Sequence, residues 1–104
     1  MNIKILESAS RDLKNGYSFY ESISPNLGSY FLDSLFSDID SLQLYAGIHS
    51  IHYKKYRLLS KRFPFAIYYD VKDELIIIYA VLDCRQNPKN IQEKLLQDDD
   101  KSKK

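Results

Sequence analysis

Hydrophobic positions follow a helical period in the first half of the chain and a two-residue period in the second. Met1 to Glu7 alternates, with Ile3 and Ile5 on one face and Asn2 and Lys4 on the other, which predicts a short strand. Ala9, Leu13, Tyr17 and Tyr20 then recur at three- and four-residue steps, predicting an amphipathic helix over 9–22. Ser8 or Ser10 is the expected cap, with Asp12 near the positive end, and Gly16 is expected to weaken the helix locally. Ser24-Pro25-Asn26 is a break. Leu27, Phe31, Leu35, Ile39 and Leu42 form the buried stripe of a second helix, running to about Ala46 and ended by Gly47. Asp33, Ser37 and Asp40 fall on its wet side.

Beyond Gly47 the period changes. Tyr53 to Lys61 mixes Tyr, Leu and basic residues and reads as a partly exposed strand. Phe63, Phe65, Ile67, Tyr69 and Val71 alternate, with Pro64 at the beginning of their strand. After a polar turn at Lys72-Asp73-Glu74, Leu75 to Leu82 is apolar at nearly every position, the pattern of a central strand covered on both faces. A polar exit follows over 83–88, then an optional helix over 89–97.

Helices and strands are thus segregated, and the predicted class is α+β. The expected fold is a small antiparallel-rich sheet in the order β-α-α-β-β-β, with an optional C-terminal helix. The first strand is expected beside the Leu75–Leu82 strand, and a helix hairpin is expected on one sheet face, packed through Leu13, Tyr17, Phe31, Leu35 and Ile39. Residues 1–97 are read as a single domain and 98–104, a run of Asp and Lys, as a charged flexible tail.

Length and composition fit one domain able to bury a core without metals or disulfides: 104 residues, 44% hydrophobic and 28% charged. The nine tyrosines against no tryptophan are unusual, and they suit half-buried sheet faces or a binding surface. One cysteine cannot form an internal disulfide, which points to a reducing compartment. The Leu75–Leu82 run is far too short to span a bilayer, and residues 1–7 do not resemble a signal peptide, so a cytoplasmic location is expected.

Charge is uneven. Residues 1–51 hold three basic and six acidic side chains, and 52–104 hold twelve and eight. Within Lys54–Arg62 stand Lys54, Lys55, Arg57, Lys61 and Arg62 with no acid. Such a strip, with Tyr53, Tyr56 and Phe63 interleaved, can meet phosphates, bases or an acidic protein, or can be a solvated strand face. Arg85, at the end of the central strand, can face the same side or close on Asp83.

Other chemistry is sparse. The three isolated glycines make no phosphate-cradling motif, and no Cys/His spacing suits zinc, so neither cofactor nor metal is expected. His49 and His52 read as surface histidines in a loop. Cys84 reads as a small, partly buried side chain without a base beside it. Asp38 and Asp40, two apart on a helix, do not face each other and form no acid–base pair.

The phrases "LYAGI", "YRLLSKRFPFAIYYDV" and "IIIYAVLDCRQNP", in this order, resemble the toxins of the RelE/ParE superfamily over roughly residues 3–95. Arg85-x-x-Pro88 is similar to that superfamily's closing phrase. The resemblance implies a cognate antitoxin, part of which folds as it wraps the toxin. It also implies one of two targets. ParE-like members poison DNA gyrase; RelE-like members cleave mRNA on the ribosome with basic residues and, in many, a C-terminal Tyr.

Against the nuclease branch, Arg57 and Arg85 match basic positions. Leu59 and Ala66 stand where that branch is basic, and Ile91 falls near its Tyr. A site so depleted loses most of its electrostatic stabilisation, although Lys61 or Arg62 can substitute in space. The resemblance therefore implies a ParE-like, plasmid stabilisation-type toxin that inhibits gyrase. The alternatives are a ribosome-dependent endoribonuclease using Arg57, Lys61, Arg62 and Arg85, and a non-toxic antitoxin-binding member. Lys54, Lys55, Tyr56, Arg57, Arg62 and Arg85 are the candidate contacts for target or antitoxin.

Overall fold

The computed structural model describes the backbone of residues 1–102 and the side chains of residues 1–96. The charged tail expected over 98–104 lies outside the described side chains. Five strands form one sheet in the order β1-β5-β4-β3-β2. They are β1 (Asn2–Ile5), β2 (Ile51–His52), β3 (Lys55–Leu59), β4 (Phe65–Lys72) and β5 (Leu75–Asp83). The helices are α1 (Glu7–Ile23), α2 (Leu27–Asp40), the short α3 (Leu42–Tyr45) and α4 (Pro88–Ser102). β1 pairs parallel to β5, with Asn2 opposite Leu75 and Ile5 opposite Ile78, and the other pairings are antiparallel. The α+β class, the helix hairpin and the place of β1 are as the hydrophobic pattern predicts. The final helix is longer than expected, and β3 gains a two-residue partner strand across the Tyr53-Lys54 turn.

The alternation in β4 sorts the core into two layers. Phe65, Ile67 and Tyr69 join Leu13, Phe31, Leu35 and Ile39 beneath the hairpin. Ala66 and Tyr68 face the other way and join Ala80, Leu82, Ile91 and Leu95 beneath α4. A register shift between Tyr68 and Tyr69 places Tyr68 opposite Ala80 and Tyr69 opposite Ile78, so Tyr79 is the extra residue of a bulge. α4 covers only one end of its face. Ile77 on β5 is therefore half-buried, while Ile76 and Ile78 beneath the hairpin are fully buried.

Close approach of α1 and α2 depends on two glycines. A Cβ on Gly16 would lie 2.5 Å from the Phe31 ring, and one on Gly28 would lie 2.7 Å from the Tyr17 carbonyl oxygen. Gly16 thus gives Phe31 its seat, a larger consequence than the helix weakening read from sequence. The Glu21 carboxylate of α1 accepts the N–H groups of Asn26 and Gly28 at 3.0 and 2.9 Å, which ties α1 to the start of α2. The second helix kinks at Ser41, whose Oγ donates to the Asp38 carbonyl at 2.6 Å.

β1 ends before β5 does, leaving β5 backbone groups without a neighbouring strand. Side chains of α1 take its place. Ser8 Oγ donates to the Tyr79 carbonyl at 2.8 Å, and Asp12 Oδ2 accepts the Val81 N–H at 3.0 Å. α1 accordingly starts at Glu7 with no side-chain cap. Ser8 and Asp12, read from sequence as cap and dipole partners, are instead bonded to the sheet.

Candidate functional site

The basic strip of Lys54–Arg62 does not form one patch. Lys54 sits in the β2–β3 turn, where Tyr53 and Lys54 both have positive φ, 55° and 68°. Lys61 and Arg62 are exposed in the β3–β4 loop at the opposite end of β3. Between them the strand alternates. Tyr56 and Leu58 pack into the hairpin core, so Tyr56 is turned away from the basic face. Tyr56 stacks on Tyr69 with centroids 5.2 Å apart.

Lys55 and Arg57 remain together on the α4 side of the sheet. Lys55 is buried, with its Nζ 4.5 Å from the Tyr79 ring centroid, a cation–π contact. Arg57 lies opposite Tyr68 in the β3–β4 register, close enough for its charge to act on the Tyr68 hydroxyl. Arg57 Nε is buried and has no hydrogen-bond partner among the described residues. Burial pushes the Tyr68 phenol above its usual range, and the Arg57 charge opposes that shift. Sequence reading did not select Tyr68 and Tyr79, because only the register shows which tyrosines stand against which bases.

Arg85 is engaged elsewhere. Its Nε and one terminal nitrogen donate to the two Asp83 carboxylate oxygens at 3.0 and 2.6 Å. Tyr20, a member of the hairpin core, also acts on its charge. The Arg85 hydrogen bond holds the Asp83 carboxyl below its ordinary value. Asp83 and Tyr20 in turn push the guanidinium up. Of the two possibilities left open for Arg85, closure on Asp83 is the one realised.

Arg57 and Arg85 therefore lie on opposite sides of the sheet. Both charges act on Cys84, lowering its pKa, but desolvation outweighs them and the thiol is pushed up. Cys84 is exposed as a residue, which corrects the expectation of partial burial. The pattern Asp83-Cys84-Arg85 ends the strand at the surface, where α4 has not yet begun to cover it.

Of the five positions singled out from the nuclease branch, all but Arg85 stand on the α4 face, and Leu59, Ala66 and Ile91 among them are apolar. Ala66 and Ile91 belong to one buried cluster with Tyr68, Leu82 and Leu95, and Leu59 follows Arg57 on the same side of β3. Arg57 is the one basic side chain among those five positions on this face. On the hairpin side, a cleft of about 460 Å³ opens between α1 and the end of β5, floored by Phe19, Phe65 and Val81 and rimmed by Asp12, Arg85 and Lys94.

His49 differs from expectation. It is half-buried, packed edge-on against Tyr69 at 5.6 Å and hydrogen-bonded to that hydroxyl. Asp38 is buried and accepts Ser60 Oγ at 2.7 Å, so it ties α2 to the β3–β4 loop. Among the described residues, no group of three or more His, Cys, Asp or Glu is arranged to hold a metal ion. Nor is any helix there long and apolar enough to cross a membrane.

No protein-family model matches the chain, and no curated protein does. Among solved structures, a chain of the chromosomal ParDE TA system from P. aeruginosa is similar. It is 24% identical, with a TM-score of 0.70, and the match covers 78% of this chain and 92% of that one. The fold of this chain is thus the fold found in a ParDE system, in agreement with the resemblance carried by its sequence phrases.

Proposed function

We propose that this chain is the toxin of a toxin–antitoxin module of the plasmid stabilisation type, ParE-like in action. It inhibits DNA gyrase in the cytoplasm by surface recognition and is neutralised by a cognate antitoxin. The ParDE-system fold supports the toxin half of this reading. The observation that carries the choice of gyrase is the hydrocarbon around Arg57. Ala66 and Ile91 are packed with Leu82 and Leu95 where a ribonuclease needs charge beside the scissile phosphate. Arg85, the other retained basic position, is committed to Asp83.

The candidate contacts for gyrase or antitoxin are Lys54, Lys55, Tyr56, Arg57, Arg62 and Arg85. Lys54, Arg62 and Arg85 are the exposed cations of this set. A supercoiling assay with purified gyrase tests the proposal. Loss of supercoiling that is restored by the antitoxin is expected. Unchanged supercoiling and cleavage at saturating protein would overturn it.

One observation favours a ribosome-dependent endoribonuclease as the second reading. Arg57 holds a buried Nε without a partner among the described residues, opposite Tyr68, and Lys61 and Arg62 are exposed on the adjoining loop. Cleavage of ribosome-bound transcripts by the purified chain would establish that reading in place of gyrase.

A further inference from the structure

Tyr69 is fully buried in β4, yet its hydroxyl reaches the connection between α3 and β2. The Gly47 N–H donates to it at 2.9 Å. His49 Nδ1 is its other partner. With the Gly47 N–H already donating to the oxygen, the phenolic proton has Nδ1 to go to. That donation requires a lone pair on Nδ1, which is the neutral Nε2–H tautomer of His49. A protonated His49 carries a hydrogen on both ring nitrogens. Nδ1–H would then be a second donor at that oxygen, and the buried hydroxyl would have no acceptor.

We propose that Tyr69 and His49 form a proton-operated latch between β4 and the α3–β2 connection, closed when His49 is neutral and released when it is protonated. The segment it fastens is unusual. Leu44, Ile48 and Ile51 are 81%, 72% and 63% exposed, and Tyr45 is half-exposed among them. Gly47, with φ 92°, ends α3 and starts the connection. Packing contributes little to holding this stretch, so the hydrogen bonds to one tyrosine weigh heavily on its position.

Among the described residues, the groups around the ring bring no opposing charge. Tyr69 faces it from β4, with Tyr56 of β3 stacked behind. On its own connection, Ser50 bonds His52 at 3.0 Å. The buried acid of α2, Asp38, is engaged by Ser60. Burial is what moves the His49 pKa, and it moves it down.

The sign follows from linkage. The unfolded chain takes up a proton near the ordinary histidine value of about 6.5, before the folded chain does. The latch therefore stabilises fully above that pH. Its contribution is lost as pH falls through about 6.5 toward the lower folded value.

This inference does not rest on the toxin reading. It is tested on the full chain by NMR between pH 8 and pH 5. The His49 ring nitrogens should report the Nε2–H tautomer at high pH and a midpoint below that of a free histidine. Exchange of the Gly47 amide, corrected for the intrinsic rate, should rise about fivefold or more across that midpoint, as expected for one lost hydrogen bond. His49→Ala should exchange fast at every pH with no step. Tyr69→Phe, which removes only the oxygen, should do the same with its circular dichroism unchanged. An Nδ1–H tautomer, constant amide protection from pH 8 to pH 5, or wild-type protection in His49→Ala would overturn the proposal.

Discussion

Arg57 stands directly opposite Tyr68 in the β3–β4 ladder, and its charge opposes the rise that burial gives the Tyr68 phenol. With Lys55 and Tyr79 beside it, the pair borders Leu59 and the apolar Ala66–Ile91–Leu95 cluster. Arg57→Met keeps much of the stem and removes the charge. The Tyr68 phenol should then titrate still higher, because the guanidinium is what opposes its burial. Tyrosine ring resonances followed against pH check this.

Gly16 fixes how closely α1 can lie over α2. Its absent Cβ leaves room for Phe31, which packs against Tyr20, Phe63 and Phe65 at centroid distances of 5.1, 5.1 and 5.0 Å. Gly16→Ala gains helix propensity but forces this ring to move. The overpacking cost of about 1–3 kcal/mol exceeds the propensity gain of about 1 kcal/mol. A net loss of stability in urea denaturation is expected, where the same change at an exposed helical site would stabilise.

Asp83 and Arg85 form a surface pair whose pKa shift has a definite sign. Arg85 lowers the Asp83 carboxyl, so the pair contributes fully above the unfolded carboxylate value of about 3.9. The contribution is lost as pH falls below that, through the lower folded value. In Arg85→Ala the Asp83 midpoint, followed by carboxyl carbon NMR, should move back up. Because the pair is exposed, the melting temperature at neutral pH should barely change.

The layers of this fold are legible in the chain because burial imposes a period. Phe65, Ile67 and Tyr69 announce one face of β4, and Leu13, Phe31, Leu35 and Ile39 announce what covers it. The site was less legible, for reasons that are geometric. A run of bases in sequence became three places: a turn at Lys54, a sheet face at Arg57 and a loop at Arg62. Strand alternation separates neighbours, and a hairpin sends its ends apart. Ser8 and Asp12 looked like the start of any helix; only the early end of β1 shows that they complete β5. His49 read as a loop residue because its partner, Tyr69, lies twenty positions away. The choice between Asp83 and a wider basic surface for Arg85 depended on a side-chain conformation that spacing does not encode.

The central claim is that this chain stops replication by acting on gyrase. It is tested most directly by pulse-labelling DNA and protein synthesis in bacteria just after the chain is induced without its antitoxin. DNA synthesis is expected to stop first, with translation continuing. Protein synthesis stopping first would contradict the claim and turn attention to Arg57, Lys61 and Arg62 at the ribosome. Neither falling while soluble protein accumulates would contradict it as well, and would leave a module that binds an antitoxin without being toxic.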